Sequence, residues 1–268
     1  SIAEINIAIV NRIFGWRFRI ARFTKQSKIM NKIIKKLLFE DDDVVFVSNS
    51  IDINKTIKSD GSEFLPTDVL KEVIKKSDDI VIMNSCLCRS SSDCQDYPQD
   101  IGCIFLGPTT KKIPRAICHE ATVEEALEQV DTADEAGLTH MIGKNKIDSI
   151  WMGVGPKEGL LTICHCCPCC CLWKVIPDLN DEITDQMEPL EGVSIDFDKD
   201  KCINCGRCLK ECMANAIIQK EDTVSINHDL CLGCGLCANK CKQDAITVSF
   251  TDDAVNKVAD RLYNLIEF

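Results

Sequence analysis

The chain has 268 residues, a formal net charge of −11 and 19 cysteines. That length suits about two domains at ~150 residues each. The acidic balance argues against nucleic acid as a ligand. No apolar run reaches the roughly 18 residues that would read as a membrane span. Grouping of the cysteines into short C-x-C and C-x2-C runs points to metal rather than to a disulfide framework.

Residues 1–40 read as a basic amphipathic helical segment. Ile5, Ile9, Ile13, Trp16 and Ile20 recur at three- and four-residue steps, with Arg12, Arg19 and Arg22 elsewhere on the wheel. Ile29, Ile33, Leu37 and Leu38 repeat the pattern among Lys28, Lys32, Lys35 and Lys36. Nine basic residues stand here against Glu4 and Glu40, so the rest of the chain is more acidic than the total. Such a segment packs on its own protein or on a partner, or lies on an anionic membrane surface. It is expected to act as an attachment device. The first ten residues hold Glu4 and no basic lead, unlike a secretory signal. The expected location is a reducing, anaerobic cytoplasm, including the inner face of its membrane.

Asp41-Asp42-Asp43 ends that pattern, and residues 41–190 read as a mixed α/β cysteine-rich domain. Val44–Val47 and Ile80–Met83 are strand candidates. Pro66-Thr67 opens a helix carrying Val69, Leu70, Val73 and Ile74. Thr122 and Glu125 form a capping box for a helix with Val123, Ala126, Leu127, Val130 and Ala133 on one face and Gly137 at its end.

Two cysteine stretches lie in this domain. Cys86, Cys88, Cys94 and Cys103 make the first, with Arg89 beside Cys88. Cys164, Cys166, Cys167, Cys169, Cys170 and Cys171 crowd into eight residues. If that run were extended, alternation would put Cys164, Cys166 and Cys170 on one face and Cys167, Cys169 and Cys171 on the other. Adjacent thiolates would then serve different metal sites, with Pro168 bending the run. The expectation is at least one further iron–sulfur cluster built from both stretches, with structural zinc as the alternative. Cys118 stands apart. Arg89 reads either as a donor to a cluster sulfur or as a surface charge. His119, His140 and His228 read as structural, and Gly153-Val154-Gly155-Pro156 as a turn rather than a phosphate loop. Trp151 and Trp173 flank the run as shields against water.

Residues 191–250 carry the strongest signal. Cys202, Cys205, Cys208 and Cys212 are spaced C-x2-C-x2-C-x3-C, and Cys231, Cys234, Cys237 and Cys241 repeat that spacing 29 residues on. Three thiolates on one tight turn reach three irons of a cube, while the fourth faces the other cube. Two [4Fe-4S] clusters are expected: Cys202, Cys205, Cys208 and Cys241 on one, Cys231, Cys234, Cys237 and Cys212 on the other. Gly206 and Gly235 match at the tight turns, and residues 223–226 and 245–250 read as strands. A final helix, in residues 251–268, begins near Asp252 or Asp253 and carries Val255, Val258, Leu262 and Leu265. The fold class is α+β: a mixed α/β cysteine-rich domain, then a two-cluster module, with amphipathic helices leading in.

The stretch 193–250 resembles the bacterial-type two-[4Fe-4S] ferredoxins, except that Met213 and Lys242 stand where that family has Pro after the fourth Cys. Upstream, KLLFEDDDVVF (36–46), MNSCLCRSSSDCQDYPQDIGCIFLG (83–107), EEAL…ADEAGLTH (124–140) and WMGVGPKEGLLTICHCCPCCCLWKVIPDLN (151–180) resemble anaerobic 4Fe-4S binding proteins with a cysteine-rich domain ahead of such a module. The resemblance implies iron–sulfur binding and redox function, and supplies no substrate. His165 stands where Asn is expected in that pattern, so it is not read as a ligand. The expected function is passing low-potential electrons to a partner redox enzyme or within a larger complex. The alternative is a reductase or reductive activator whose cysteine-rich domain carries a reactive cluster fed by the C-terminal module. No catalytic residue is assigned.

Overall fold

A computed structural model describes residues 2–49, 66–155, 159–221, 223–250 and 253–265. The basic segment folds as α1 (Ile2–Ile13), α2 (Arg17–Gln26) and α3 (Lys28–Ile34), the last capped by Ser27, whose hydroxyl accepts from the Met30 N–H. Next come β1 (Asp43–Val47), α4 (Asp68–Lys75), β2 (Ile80–Met83), the short α5 (Leu87–Ser91) and β3 (Ile104–Leu106). They are followed by β4 (Cys118–Glu120), α6 (Val123–Glu135), β5 (Thr139–Lys144), α7 (Lys146–Met152), β6 (Leu161–Cys166), α8 (Asp181–Thr184) and β7 (Met187–Pro189). The C-terminal module is β8 (Val193–Phe197), α9 (Arg207–Glu211), β9 (Ile217–Lys220), β10 (Thr223–Ile226), α10 (Leu236–Asn239) and β11 (Ile246–Phe250). The last helix, α11 (Asp253–Tyr263), follows it.

Among the described residues, seven strands form one mixed sheet in the order β4-β2-β3-β6-β5-β1-β7. Neighbours pair antiparallel except β1 with β7. The α+β expectation therefore holds. Both faces of the sheet are covered, which is why β1 and β2 read as unbroken apolar runs rather than alternating ones. Val45, Val47, Ile80, Ile82, Ile104, Leu106, Ile142 and Ile163 point toward α4, α6 and α11. Val44, Phe46 and Met141, with Val81, Met83 and Phe105, point the other way. There they meet the N-terminal helices, α7, Trp173 and the C-terminal module.

The capping box at α6 is present: Thr122 Oγ1 accepts from the Glu125 N–H (3.2 Å) and Glu125 Oε2 from the Thr122 N–H (2.7 Å). Helix α11 returns to the sheet's helical layer, burying Val258 and Leu262 against α4. Lys76 pairs with Asp260, and Arg261 Nη1 lies 3.1 Å from Asp43 Oδ2. The C-terminal module is thus inserted into the strand and helix layers of the upstream domain. Asp252 and the side chain of Val255 lie outside the described residues.

The N-terminal stripe chosen by spacing is not the face that packs. Helix α1 buries Ala3 and Val10 and leaves Ile5, Ile9 and Ile13 exposed, and in the turn that follows Phe14 is buried and Trp16 exposed. The helix packs on α7, where Asn6 Nδ2 donates to Ile150 O at 2.7 Å. No helix among the described residues is long and apolar enough to cross a membrane.

Candidate metal centres

Pairing of β3 with β6 brings the two upstream cysteine stretches together. The register Ile104↔Ile163 sets Cys103 opposite Cys164, and the Cys103 thiol donates to Cys164 Sγ at 3.3 Å. Strand β2 runs directly into Cys86 at the start of α5, which carries Cys88. Cys166 ends β6, and Cys171 returns from the turn beyond Pro168. Cys86, Cys88, Cys103, Cys164, Cys166, Cys167 and Cys171 line one cavity, walled by Met83, Phe105, Met141, Trp151 and Trp173. The two tryptophans shield it, as their flanking positions suggested.

These thiols resist ionising together. Hydrogen bonds from Cys103 and Cys88, and the Arg89 charge, hold Cys86 well below the usual thiol range against the effect of burial. Cys88 and Cys103 are pushed well above it by hydrogen bonding to neighbouring thiols and by burial. Cys166 rises well above it through its bond to Cys171 and burial. For Cys164 the Cys103 bond works downward, but burial and nearby negative charge win and push it up to about 11. Several thiolates at such close quarters need cationic compensation, which a metal supplies while displacing the protons. The cavity thus offers a set of soft thiolate donors of the kind that binds metal.

Arg89 is not the surface charge that one sequence reading allowed. It is fully buried and donates to carbonyls: Nε to Pro98 O (2.6 Å), Nη1 to His165 O (2.6 Å) and Nη2 to Ile101 O. Its guanidinium does not lie at the surface, and its backbone N–H donates to Cys86 Sγ. It ties the loop between the first cysteines to β6. Burial works against its charge, yet Cys86, Cys167, Cys103 and Cys166 more than offset that cost. Arg17 reaches the same centre from the N-terminal segment, stacking 4.1 Å from Phe14 and 4.4 Å from Phe18. Burial lowers its pKa against the raising effect of Cys88 and Cys171. Ser91 Oγ meets Asn11 Oδ1 at 2.5 Å, so α1 roofs α5 besides serving any attachment.

Cys167, at the edge of the cavity, also belongs to a second group. Cys94, Cys167, Cys169 and Cys170 place their sulfurs within 4.8 Å of one another. Alternation therefore fails after Pro168: Cys170 joins Cys167 and Cys169, while Cys171 turns back to the cavity. Residues 168–170 form a turn, and a turn curls successive side chains around one point instead of alternating them. Cys94 also separates from Cys86, Cys88 and Cys103. Cys118 does stand apart, donating to Pro114 O at 3.4 Å.

One buried polar chain was not foreseen. Asp134 Oδ1 lies 2.7 Å from His140 Nε2, and His140 Nδ1 lies 2.9 Å from His165 Nδ1. Burial, then the neighbouring His140 and Arg89, hold His165 well below the usual imidazole range. The signal lies in the β5–β6 register His140↔His165, which no local pattern reveals. His119 meets Asn84 Oδ1 at 3.3 Å, in keeping with a structural role.

In the C-terminal module, Gly206 and Gly235 start α9 and α10 in the left-handed region, with φ of 69° and 73°. Cys202, Cys205, Cys208 and Cys241 line one hollow. Burial raises Cys208, with the nearby Cys241 and Cys202 adding to it. Burial pushes Cys234 up to about 12, with added repulsion from Cys212 and Cys231. Each fourth cysteine thus lies with the other repeat's first three. The Ala216 and Ala245 N–H groups donate to Cys212 Sγ (3.2 Å) and Cys241 Sγ (3.3 Å) at matching positions.

The two repeats differ in burial. Cys205 is exposed, whereas the second repeat's turn is pressed against the sheet. Thr139 Oγ1 donates to Cys234 O at 2.6 Å. A Cβ on Gly235 would lie 2.8 Å from Ser48 Cβ, so only glycine fits there. Met213, Ala214, Leu232 and Leu236 share one apolar core with Phe46, Met141, Trp173, Cys166 and Cys171.

Residues 195–248 match the family described as the 4Fe-4S dicluster domain. The C-terminal module is accordingly an iron–sulfur dicluster domain for two [4Fe-4S] clusters, joined to an upstream cysteine-rich domain with further metal-binding capacity. No curated protein matches the chain.

Proposed function

We propose that the chain is a multi-cluster electron-transfer protein whose dicluster module feeds a metal centre in the upstream cavity. Iron–sulfur clusters supply one-electron exchange. Cys202, Cys205, Cys208 and Cys241 hold the outer cluster, where Cys205 meets solvent and a redox partner can dock. Cys231, Cys234, Cys237 and Cys212 hold the inner one. Cys86, Cys88, Cys103, Cys164, Cys166 and Cys171 hold the upstream centre.

The observation carrying this reading is the apolar core in which Leu232, Leu236 and Met213 of the module pack with Cys166, Cys171 and Trp173. It sets apolar side chains between the inner repeat and the cavity. The acidic body suits a redox partner with a basic face, since complementary charge speeds encounter. The test is iron and sulfide analysis of anaerobically prepared protein. Wild type is expected to exceed the roughly eight irons of two four-iron cubes. A Cys166→Ser/Cys171→Ser variant should fall to about that number. Equal iron in both would overturn the reading.

A second reading, reductive activation of a partner's metal cofactor or of a disulfide, draws on the thiol count. Seven cysteines line the cavity, and one cube needs four. Surplus thiolates give the centre room for a reactive position.

A further inference from the structure

The geometry points to a single tetrahedral metal ion held by Cys94, Cys167, Cys169 and Cys170, separate from every iron–sulfur cluster. Cys94 and Cys169 sulfurs lie 3.6 Å apart, and Cys169 and Cys167 sulfurs 3.5 Å. Four thiolates about 2.3 Å from one tetrahedral ion stand roughly 3.8 Å from one another. A four-iron cube holds each thiolate on its own iron, outside the cube, and spreads them further. Among the described residues no other group of three or more cysteine, histidine or carboxylate donors is drawn so close. Three of the four cysteines are buried and Cys169 is half-buried, which is the closed environment of a structural site. Zinc and iron share this all-thiolate chemistry.

The ion acts as a clasp. Cys94 follows α5, which presents Cys88 to the cavity, and Cys167 to Cys170 follow β6, which presents Cys164 and Cys166. Closing the four sulfurs on one ion joins the two stretches behind the cavity. It also fixes the turn that sends Cys171 back into it. Cys169 borders a surface hollow shared with Tyr97 and with Lys210 and Lys240 of the dicluster module. The clasp therefore sits at the seam between the domains. This inference does not rest on the electron-transfer reading, because a clasp would serve a purely structural domain equally well.

The test is elemental and sulfide analysis of anaerobically purified protein. Cys169→Ser is expected to lose one metal ion per chain with no loss of sulfide, zinc and iron being told apart by the element that disappears. Cys94→His, which keeps four donors, should fold and retain the ion. Loss of several irons together with sulfide would show a cluster and overturn the proposal, as would unchanged metal content in Cys169→Ser. If Cys169→Ser does not fold, a Cys94→His variant that folds but lacks the ion overturns it too.

Independently, we infer that the outer face of the N-terminal helices seats on an anionic lipid surface. Ile2, Ile5, Ile9, Ile13 and Trp16 are 69%, 62%, 51%, 42% and 62% exposed although α1 already packs its opposite face. At Ile13 the stripe runs into an apolar groove whose other wall is Ile34 and Leu38. Arg12, Arg19, Lys28, Lys32 and Lys36 are exposed on the same segment. The charge division favours lipid: a basic patch on an otherwise acidic chain is drawn to an anionic plane that repels the rest, which sets one orientation. Co-sedimentation with phosphatidylcholine vesicles, with and without phosphatidylglycerol, tests it. Binding is expected only with phosphatidylglycerol, and Ile9→Ser/Ile13→Ser should weaken it at least tenfold with metal content unchanged. Equal pelleting with neutral vesicles, or no effect of the double substitution, would overturn it.

Discussion

The Thr139 hydroxyl lies 2.6 Å from the Cys234 carbonyl and 2.9 Å from the Val47 carbonyl, sharing one proton between the ligand turn of the inner repeat and the sheet. Thr139 is fully buried on β5, next in sequence to His140. A Thr139→Val change keeps the shape and removes the donor, at a cost of ~1–3 kcal/mol for the carbonyl left unpaired. Iron content should stay intact while thermal unfolding falls and electron exchange with the upstream centre slows. Unchanged unfolding in Thr139→Val would show that this bond does not join the domains.

Gly235 and Gly206 share a positive φ but not an environment. Alanine at either pays ~1–2 kcal/mol for the left-handed backbone. Only at Gly235 does the new Cβ collide with Ser48, whereas at Gly206 the nearest atom is Gln219 Oε1 at 3.4 Å. Gly235→Ala should destabilise clearly more than Gly206→Ala in matched thermal unfolding of the metal-loaded protein.

Arg89 is a buried cation serving three carbonyls. Arg89→Met strands them and removes the charge that the nearby thiols face. A loss of ~3–5 kcal/mol is expected, in the range for breaking a buried charged network. The upstream metal should be lost and the dicluster iron kept. Metal analysis with a chemical unfolding curve checks both.

Metal-free protein should show alkaline instability. Burial raises Cys234 from the ordinary 9.0 to about 12 in the fold. The folded state thus prefers the protonated thiol. That contribution is complete below the unfolded value and is lost as pH climbs from about 9 to about 12. Metal loading reverses the trend on the acid side, since binding displaces the thiol protons and weakens as pH falls. Stability of apo and loaded protein against pH, measured by denaturant titration, separates the two limbs.

Much of this architecture can be read along the chain because its causes are local. Val44–Val47 and Ile80–Met83 are runs of apolar, mostly β-branched residues, and Thr122 with Glu125 announces a helix start. The doubled cysteine spacing alone indicates a dicluster module, and residues 195–248 match that family. What escaped the sequence depends on contacts between distant segments. Sorting of the upstream cysteines into two groups follows from the Ile104↔Ile163 register and the turn after Pro168. The packed face of α1 carries Ala3 and Val10 rather than the most regular isoleucine spacing. Arg89 read as either a sulfur donor or a surface charge, because an arginine beside a cysteine gives no hint of three carbonyls converging on it.

The most direct test is EPR of the dithionite-reduced protein, wild type against Cys166→Ser/Cys171→Ser. Electron delivery from the module to the cavity predicts a wild-type spectrum broadened by spin interaction between the inner cluster and a reduced upstream centre. The variant should then show two-cluster signals alone. Identical spectra from the two proteins would contradict it, leaving a dicluster module beside a domain that takes no electrons.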